Sequence, residues 1–196
     1  MFPIRLAVFA SGSGSNAENI FNYFSSNKNV EIAIIISNKA DAYVHKRAER
    51  LGIASLTMSK SDLSDSEKML SLLRKYQIDF IILAGYLLRI PIGLIEVYPN
   101  RIVNIHPALL PKFGGKGMYG DRVHEAVVEA GEKESGITVH YVNEHYDEGD
   151  VVFQAKCPVL EKDSPNTVAS KVHALEYKHF PSVIDRILRE EFPDCF

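Results

Sequence analysis

The sequence is poor in the residues that carry metal, disulfide and nucleic-acid chemistry. Only two of its 196 residues are cysteines, Cys157 and Cys195, and they are too far apart for a C-x-x-C pair. A disulfide framework and a cysteine-based zinc site are excluded. The 7 histidines contain no H-E-x-x-H, so the common zinc-hydrolase pattern is missing too. Lys+Arg total 22 against 25 Asp+Glu, a net charge of −3, and no basic run exceeds two residues. The basic stripe of a nucleic-acid binder is absent; a small anion held by backbone N–H groups remains compatible. No apolar stretch approaches the ~20 residues of a membrane helix, and no signal-like segment is recognisable. The expectation is a reduced, cytoplasmic, soluble protein with no membrane or nucleic-acid partner and no metal.

What is present suits a packed α/β core. Hydrophobic residues make up 46% of the chain, and a chain of this size buries ~70% of its unfolded surface. Apolar runs at 4–10, 30–37, 55–58, 80–84 and 102–105 read as strands. Helical spacing at 17–24, 41–51, 64–76 and 94–98 separates them, with Asp41 as a cap and Gly52 as a stop. Alternation of this kind implies parallel pairing with right-handed crossovers. The second half differs. Residues 107–120 hold four glycines and two prolines and read as a long loop over the sheet edge. A helix at 122–130 follows, then strands at 138–142 and 151–156 as an antiparallel pair. An amphipathic stretch at 167–190 is interrupted at Pro181. The predicted fold is a Rossmann-like open α/β sheet, parallel in its N-terminal half with antiparallel late strands and helices on both faces. No repeat or linker divides the chain, so one domain over 1–196 is expected.

Four motifs carry candidate chemistry. Gly12-Ser13-Gly14-Ser15-Asn16-Ala17 fits G-x-G-x-x-A between a strand and a helix, whose N-terminus offers free N–H groups to a phosphate. A monophosphate, a dinucleotide or a purely structural turn are the open readings. The second strand ends Ser37-Asn38-Lys39, without the acid that holds a dinucleotide ribose. Asn104-Ile105-His106-Pro107 ends a strand, where open α/β sheets bind ligands. Asn104 and His106 share one face, roughly 6–7 Å apart, an amide donor beside a proton carrier; a locally satisfied buried histidine is the alternative. Asp147-Glu148-Gly149-Asp150 reads as a solvated turn unless a carboxylate meets His106, where it would raise the imidazole above its ordinary ~6.5. His173 and Glu176 lie at i and i+3 on one helix face; alone they read as exposed polar residues.

Taken in order, Ser11 to Asn16, Ser37 to Ala42, Leu83-Ala84-Gly85-Tyr86 and Asn104 to Phe113 resemble the phosphoribosylglycinamide formyltransferases. Gly136 to Val142, Asp147-Glu148-Gly149, and Glu176 before Phe180-Pro181 continue the resemblance across nearly the whole chain. The Asn104 and Asp147 segments are shared with a wider group of formyl-transferring enzymes; the Ser11–Asn16 loop is the more specific part. The resemblance implies transfer of formyl from 10-formyltetrahydrofolate, a cosubstrate, to the amine of glycinamide ribonucleotide, a step of purine biosynthesis that needs no metal. It assigns Asn104, His106 and Asp147 to catalysis. It assigns Gly14, Ser15, Asn16 and Glu176 to the acceptor substrate, and Leu87, Leu88, Arg89, Ile90 and Asn104 to the folate. On this reading residues 1–100 form a phosphate-binding half and 101–196 a catalytic and folate-binding half. Asn104 and a protonated His106 would meet the developing oxyanion, with Asp147 keeping His106 charged.

Two departures stand out. No Arg lies at 60–66, where the family often meets the folate's glutamate tail; Lys60 is the candidate replacement, a point charge rather than a fork. Asp150 follows Gly149 where Pro is common in the family. The alternatives are formyl transfer to methionyl-tRNA or an amino sugar nucleotide, a formyltetrahydrofolate deformylase, or a non-catalytic nucleotide-binding Rossmann module. The tRNA and deformylase relatives carry a further domain, which a chain of 196 residues is not expected to hold. The sequence does not distinguish a monomer from a homodimer, nor whether 107–120 closes as a lid.

Overall fold

Continuous apolar runs become the interior strands of one sheet. The structure is a computed structural model and describes residues 2–196. Five strands, β1 (Ile4–Phe9), β2 (Val30–Ser37), β3 (Ser55–Thr57), β4 (Phe80–Leu83) and β5 (Ile102–His106), pair in parallel. β6 (Glu134–Tyr141) and β7 (Val151–Pro158) continue antiparallel, giving the order β3-β2-β1-β4-β5-β6-β7. The order reverses between β1 and β4, the switch point at whose carboxyl ends such sheets bind ligands.

Both faces are covered, as the double-sided hydrophobicity requires. Helices α1 (Ser15–Phe24), α2 (Val44–Leu51), α6 (Asp121–Glu129) and α7 (Pro165–Glu191) bury Ile20, Ala48, Val127 and Phe180 against one face. Helices α3 (Lys60–Ser64), α4 (Ser66–Lys75) and α5 (Ile92–Val97) bury Leu63, Leu73 and Leu94 against the other. Strand residues alternate between these cores: Leu6 and Val8 face the first, Ala7 and Phe9 the second. In β2 the pairing jumps from Leu6↔Ile32 to Ala7↔Ile34. The extra residue, Ala33, shifts the side-chain phase, so that Ile35 returns to the face of Ile32.

Several local expectations are corrected. The second helix begins at Val44, and exposed Asp41 lies outside it; the stop at Gly52 holds, with φ 70°. The helix expected at 64–76 is α4, Ser66–Lys75, capped by Asp65, whose side chain accepts from Lys68 N–H; the short α3 ahead of it, capped by Ser59 accepting from Asp62 N–H, was not expected. β5 extends through His106, and β6 begins four residues earlier than expected, at Glu134. Pro181 does not interrupt the last helix, which runs 27 residues through it. A proline cannot donate to the carbonyl four residues back, which ordinarily costs ~3 kcal/mol. Here the Tyr177 carbonyl instead accepts from Asn19 Nδ2 of α1 at 2.9 Å. Among the described residues no helix is long and apolar enough to cross a membrane.

Candidate active site

At the switch point the turn between β1 and α1 delivers the helix N-terminus. Gly14 adopts φ 74°, and a β-carbon there would overlap Val44 at the start of α2. The loop is fastened from behind. Arg47 donates Nε–H to the Ser13 carbonyl at 2.9 Å and pairs with Glu18 of α1, which also pairs with Arg50. Val44 N–H reaches the Gly12 carbonyl at 3.2 Å. The free N–H groups of α1 therefore face a cavity of about 500 Å³ that also takes in Asn104, His106, Asp147, His173 and Glu176.

β5 carries Asn104 and His106 to this cavity on one face, as their spacing requires. Their antiparallel partners on β6 are His140 and Thr138. Thr138 Oγ1 donates to the Ala108 carbonyl at 2.7 Å and accepts from Leu110 N–H at 3.0 Å, fixing the chain just past His106. His140 donates Nδ1–H to the Tyr141 carbonyl at 2.8 Å; bare Nε2 then accepts from Asn104 Nδ2 at 3.0 Å. Asn104 Nδ2 is also 3.5 Å from Asp147 Oδ1.

Asp147 stands in the turn between β6 and β7 at φ 57°, with Oδ2 accepting from Gly115 N–H at 2.8 Å. The same oxygen lies 3.5 Å from His106 Nδ1, so a carboxylate does meet the histidine. Burial raises the Asp147 carboxyl, but the His140 and His106 rings and the Gly115 N–H outweigh it and hold the group below the usual carboxylate value. The expected rise at His106 does not occur. The ring is 4% exposed, and its burial outweighs Asp147 and the Phe113 carbonyl, which pull the other way. Its pKa therefore lies below the ordinary value, and the resting ring is neutral near pH 7. Nε2–H is donated to the Phe113 carbonyl at 2.7 Å.

Glu176 is not an exposed polar residue. It is 5% exposed, and its Oε2 accepts from Asn16 Nδ2 at 2.9 Å and from His173 Nδ1 at 3.0 Å. The Glu176 hydrogen bond raises the His173 pKa against its partial burial. Leu87 and Leu88 line the cavity, Leu87 N–H bonding to Ser11 Oγ at 3.0 Å. Of the other two residues in that stretch, Ile90 is buried in the second core and Arg89 turns to the Glu144 carbonyl. Lys60 lines the cavity; exposed Asp150 does not. Sequence reasoning missed His124 and His140. The second was reachable from the strand alternation, which places His140 two residues from Thr138 and opposite Asn104. No group of three or more His, Cys, Asp or Glu among the described residues is arranged to hold a metal ion.

The formyl transferase family profile matches residues 4–184. The chain belongs to the formyl transferase family. A chloroplastic phosphoribosylglycinamide formyltransferase of Arabidopsis thaliana is 42% identical over 192 residues, which span 95% of this chain and 66% of that protein. The Bacillus subtilis phosphoribosylglycinamide formyltransferase is 36% identical, covering 94% of each chain. The crystal structure of the Anaplasma phagocytophilum phosphoribosylglycinamide formyltransferase superposes with a TM-score of 0.86 at 34% identity, over 95% of this chain and 87% of that one. This formyl transferase thus spans about two thirds of its plant relative and nearly all of the Bacillus one.

Proposed function

We propose that this formyl transferase moves the formyl group of 10-formyltetrahydrofolate to the amine of 5′-phosphoribosylglycinamide. The observation that carries the reading is convergence: the α1 N-terminus, Glu176, Asn104, His106 and Asp147 all border one cavity. The α1 end, with Gly14, Ser15 and Asn16, suits a phosphate. Glu176 has one oxygen engaged by Asn16 and His173, which leaves the other for the acceptor amine. Tyr86, Leu87, Leu88 and Met118, with Lys60 and Lys116, also line the cavity, an apolar set accompanied by cations. That composition fits a flat aromatic ring with an anionic tail, so the residues present suit a folate, with Lys60 nearest the role of the missing Arg. The backbone of Leu87, Leu88, Arg89 and Ile90 is the proposed edge for its ring.

The bound folate supplies the formyl carbon. The chain's own residues orient the amine, meet charge on the formyl oxygen and manage a proton. Asn104 Nδ2 has its longer bond, 3.5 Å, to Asp147, and this is the one exchanged for the reacting oxygen. His106 carries its proton on Nε2 and gives up the Phe113 carbonyl to donate to that oxygen. Asp147 favours the charged ring from the Nδ1 side. A donor that meets the developing oxyanion contributes ~100–1000-fold in rate. The one-domain organisation over 1–196, with a phosphate-binding half and a catalytic and folate-binding half, and a cytoplasmic setting with small-molecule partners belong to the same proposal. An absorbance assay for tetrahydrofolate release tests it, with glycinamide ribonucleotide, methionyl-tRNA or water as sole acceptor. Release with the ribonucleotide alone is expected. Release only with tRNA or water would reassign the acceptor.

A further inference from the structure

Four histidines border or back the cavity, and three have a ring nitrogen committed. His106 Nε2 is held by the Phe113 carbonyl. His140 is held through both nitrogens, by the Tyr141 carbonyl and Asn104. His173 Nδ1 is held by Glu176. His124, on α6, is different: it lines the cavity and is 2% exposed, yet its Nδ1 is buried with no partner. Its ring meets His173 edge-on, with centroids 6.3 Å apart. Buried polar groups without partners are uncommon and call for a physical explanation. A bare ring nitrogen is less costly to bury unpaired than an N–H. The proton therefore sits on Nε2, the ring's other nitrogen.

We propose that His124 is a specificity-determining residue whose Nε2–H donates a hydrogen bond to the acceptor substrate beside Glu176. The inference rests on the formyl-acceptor reading above and deepens it. Asn104 and His106 have their donors occupied by protein groups in the resting site, so His124 is the uncommitted imidazole donor on the Glu176 side. Glu176 is an acceptor and His124 a donor. Such a pair matches a neutral group that both gives and takes a hydrogen bond, the acceptor amine or a hydroxyl or carboxamide next to it, and not a second anion. Burial, then the neighbouring His173, push the His124 pKa down; Glu176 on α7 and Asp121 on α6 push it up, and His106 on β5 pushes it down. The balance favours the neutral ring, in keeping with its partnerless buried Nδ1.

The test compares His124→Phe, which keeps a ring without the donor, with His124→Gln, whose amide reaches the Nε2 position. Both are assayed for tetrahydrofolate release. Calorimetric titration of glycinamide ribonucleotide onto the protein without folate is run in parallel. With His124→Phe, kcat/KM for the ribonucleotide should fall about 5–30-fold, the range of one buried hydrogen bond. KM for the formyl folate should stay within about twofold, and His124→Gln should regain most of the loss. Equal losses toward both substrates, no loss in His124→Phe, or no recovery in His124→Gln overturns the inference alone, provided the parent protein transfers formyl. A parent protein that neither binds the ribonucleotide nor transfers formyl to it overturns the functional reading, and this inference with it.

Discussion

His106 donates its Nε2–H to the carbonyl of Phe113, 2.7 Å away and seven residues on. The ring at the end of β5 is therefore fastened to the loop that follows it. That loop is itself pinned, by Thr138 at Ala108 and Leu110 and by Asp147 at Gly115. Asp147 thus acts on His106 twice, directly from the Nδ1 side and through the position of the loop.

The His106 ring should titrate below the ordinary imidazole value of ~6.5. Burial is the largest cause, and it outweighs the Asp147 charge. A folded value below the unfolded one means that the unfolded chain takes up the proton first. Stability is then lost as pH falls from ~6.5 through the folded value. Histidine-selective NMR should show a midpoint below 6.5 and a neutral ring carrying its proton on Nε2. The fall in Tm between pH 7 and pH 5.5 should be shallower in His106→Asn. A midpoint above 7 would refute the assignment.

Asp147→Asn should lower kcat by ~100–1000-fold while leaving KM for either substrate within a few-fold. The amide keeps an oxygen for Gly115 N–H, so the loop contact survives. What goes is the negative charge beside Nδ1, one of the influences that raise the His106 pKa. The His106 midpoint should therefore move further down in this variant, readable by the same NMR titration. An unchanged midpoint with full activity would remove Asp147 from the proposed machinery.

Arg47 touches the phosphate loop from outside the cavity, through the Ser13 carbonyl and Glu18. Arg47→Met should weaken binding of the phosphorylated substrate ~5–10-fold, as expected for a lost charged hydrogen bond. It should leave kcat within about twofold. Arg47→Lys should not restore affinity, because one ammonium cannot replace the two-sided guanidinium contact. Calorimetry with the ribonucleotide separates this from a folding defect, since the affinity for folate should not move.

Much of this arrangement was legible in the sequence. Runs such as Ile34-Ile35-Ile36 have no polar face, so they announce a sheet covered on both sides. Asn104 and His106 alternate at a strand end, so their shared face followed. The misses have physical reasons. The short helix Lys60–Ser64 was missed because five residues with Leu63 as their one buried side chain carry no apolar period to read. Pro181 reads as a break because its compensating donor, Asn19, lies 162 residues earlier, where no local pattern reports it. The sign at His106 was missed because a neighbouring carboxylate is visible in the sequence and the depth of burial is not.

Asn19 and Pro181 give a test of that compensation. Helix α1 holds α7 at two points, Asn16 on Glu176 and Asn19 on the Tyr177 carbonyl. The second exists because Pro181 leaves that carbonyl without its helical donor. Asn19→Ala should cost ~0.5–1 kcal/mol in the parent protein. In a Pro181→Ala background the restored N–H at 181 reaches the Tyr177 carbonyl, and Asn19→Ala should then cost close to nothing. Urea denaturation of the four proteins in the cycle should therefore show a coupling of about 0.5 kcal/mol or more. Strict additivity would mean that Asn19 and Pro181 are unrelated. Because Tyr177 follows Glu176 directly, the Asn19→Ala variant should also lose some affinity for the acceptor substrate, and the Pro181→Ala background should recover it.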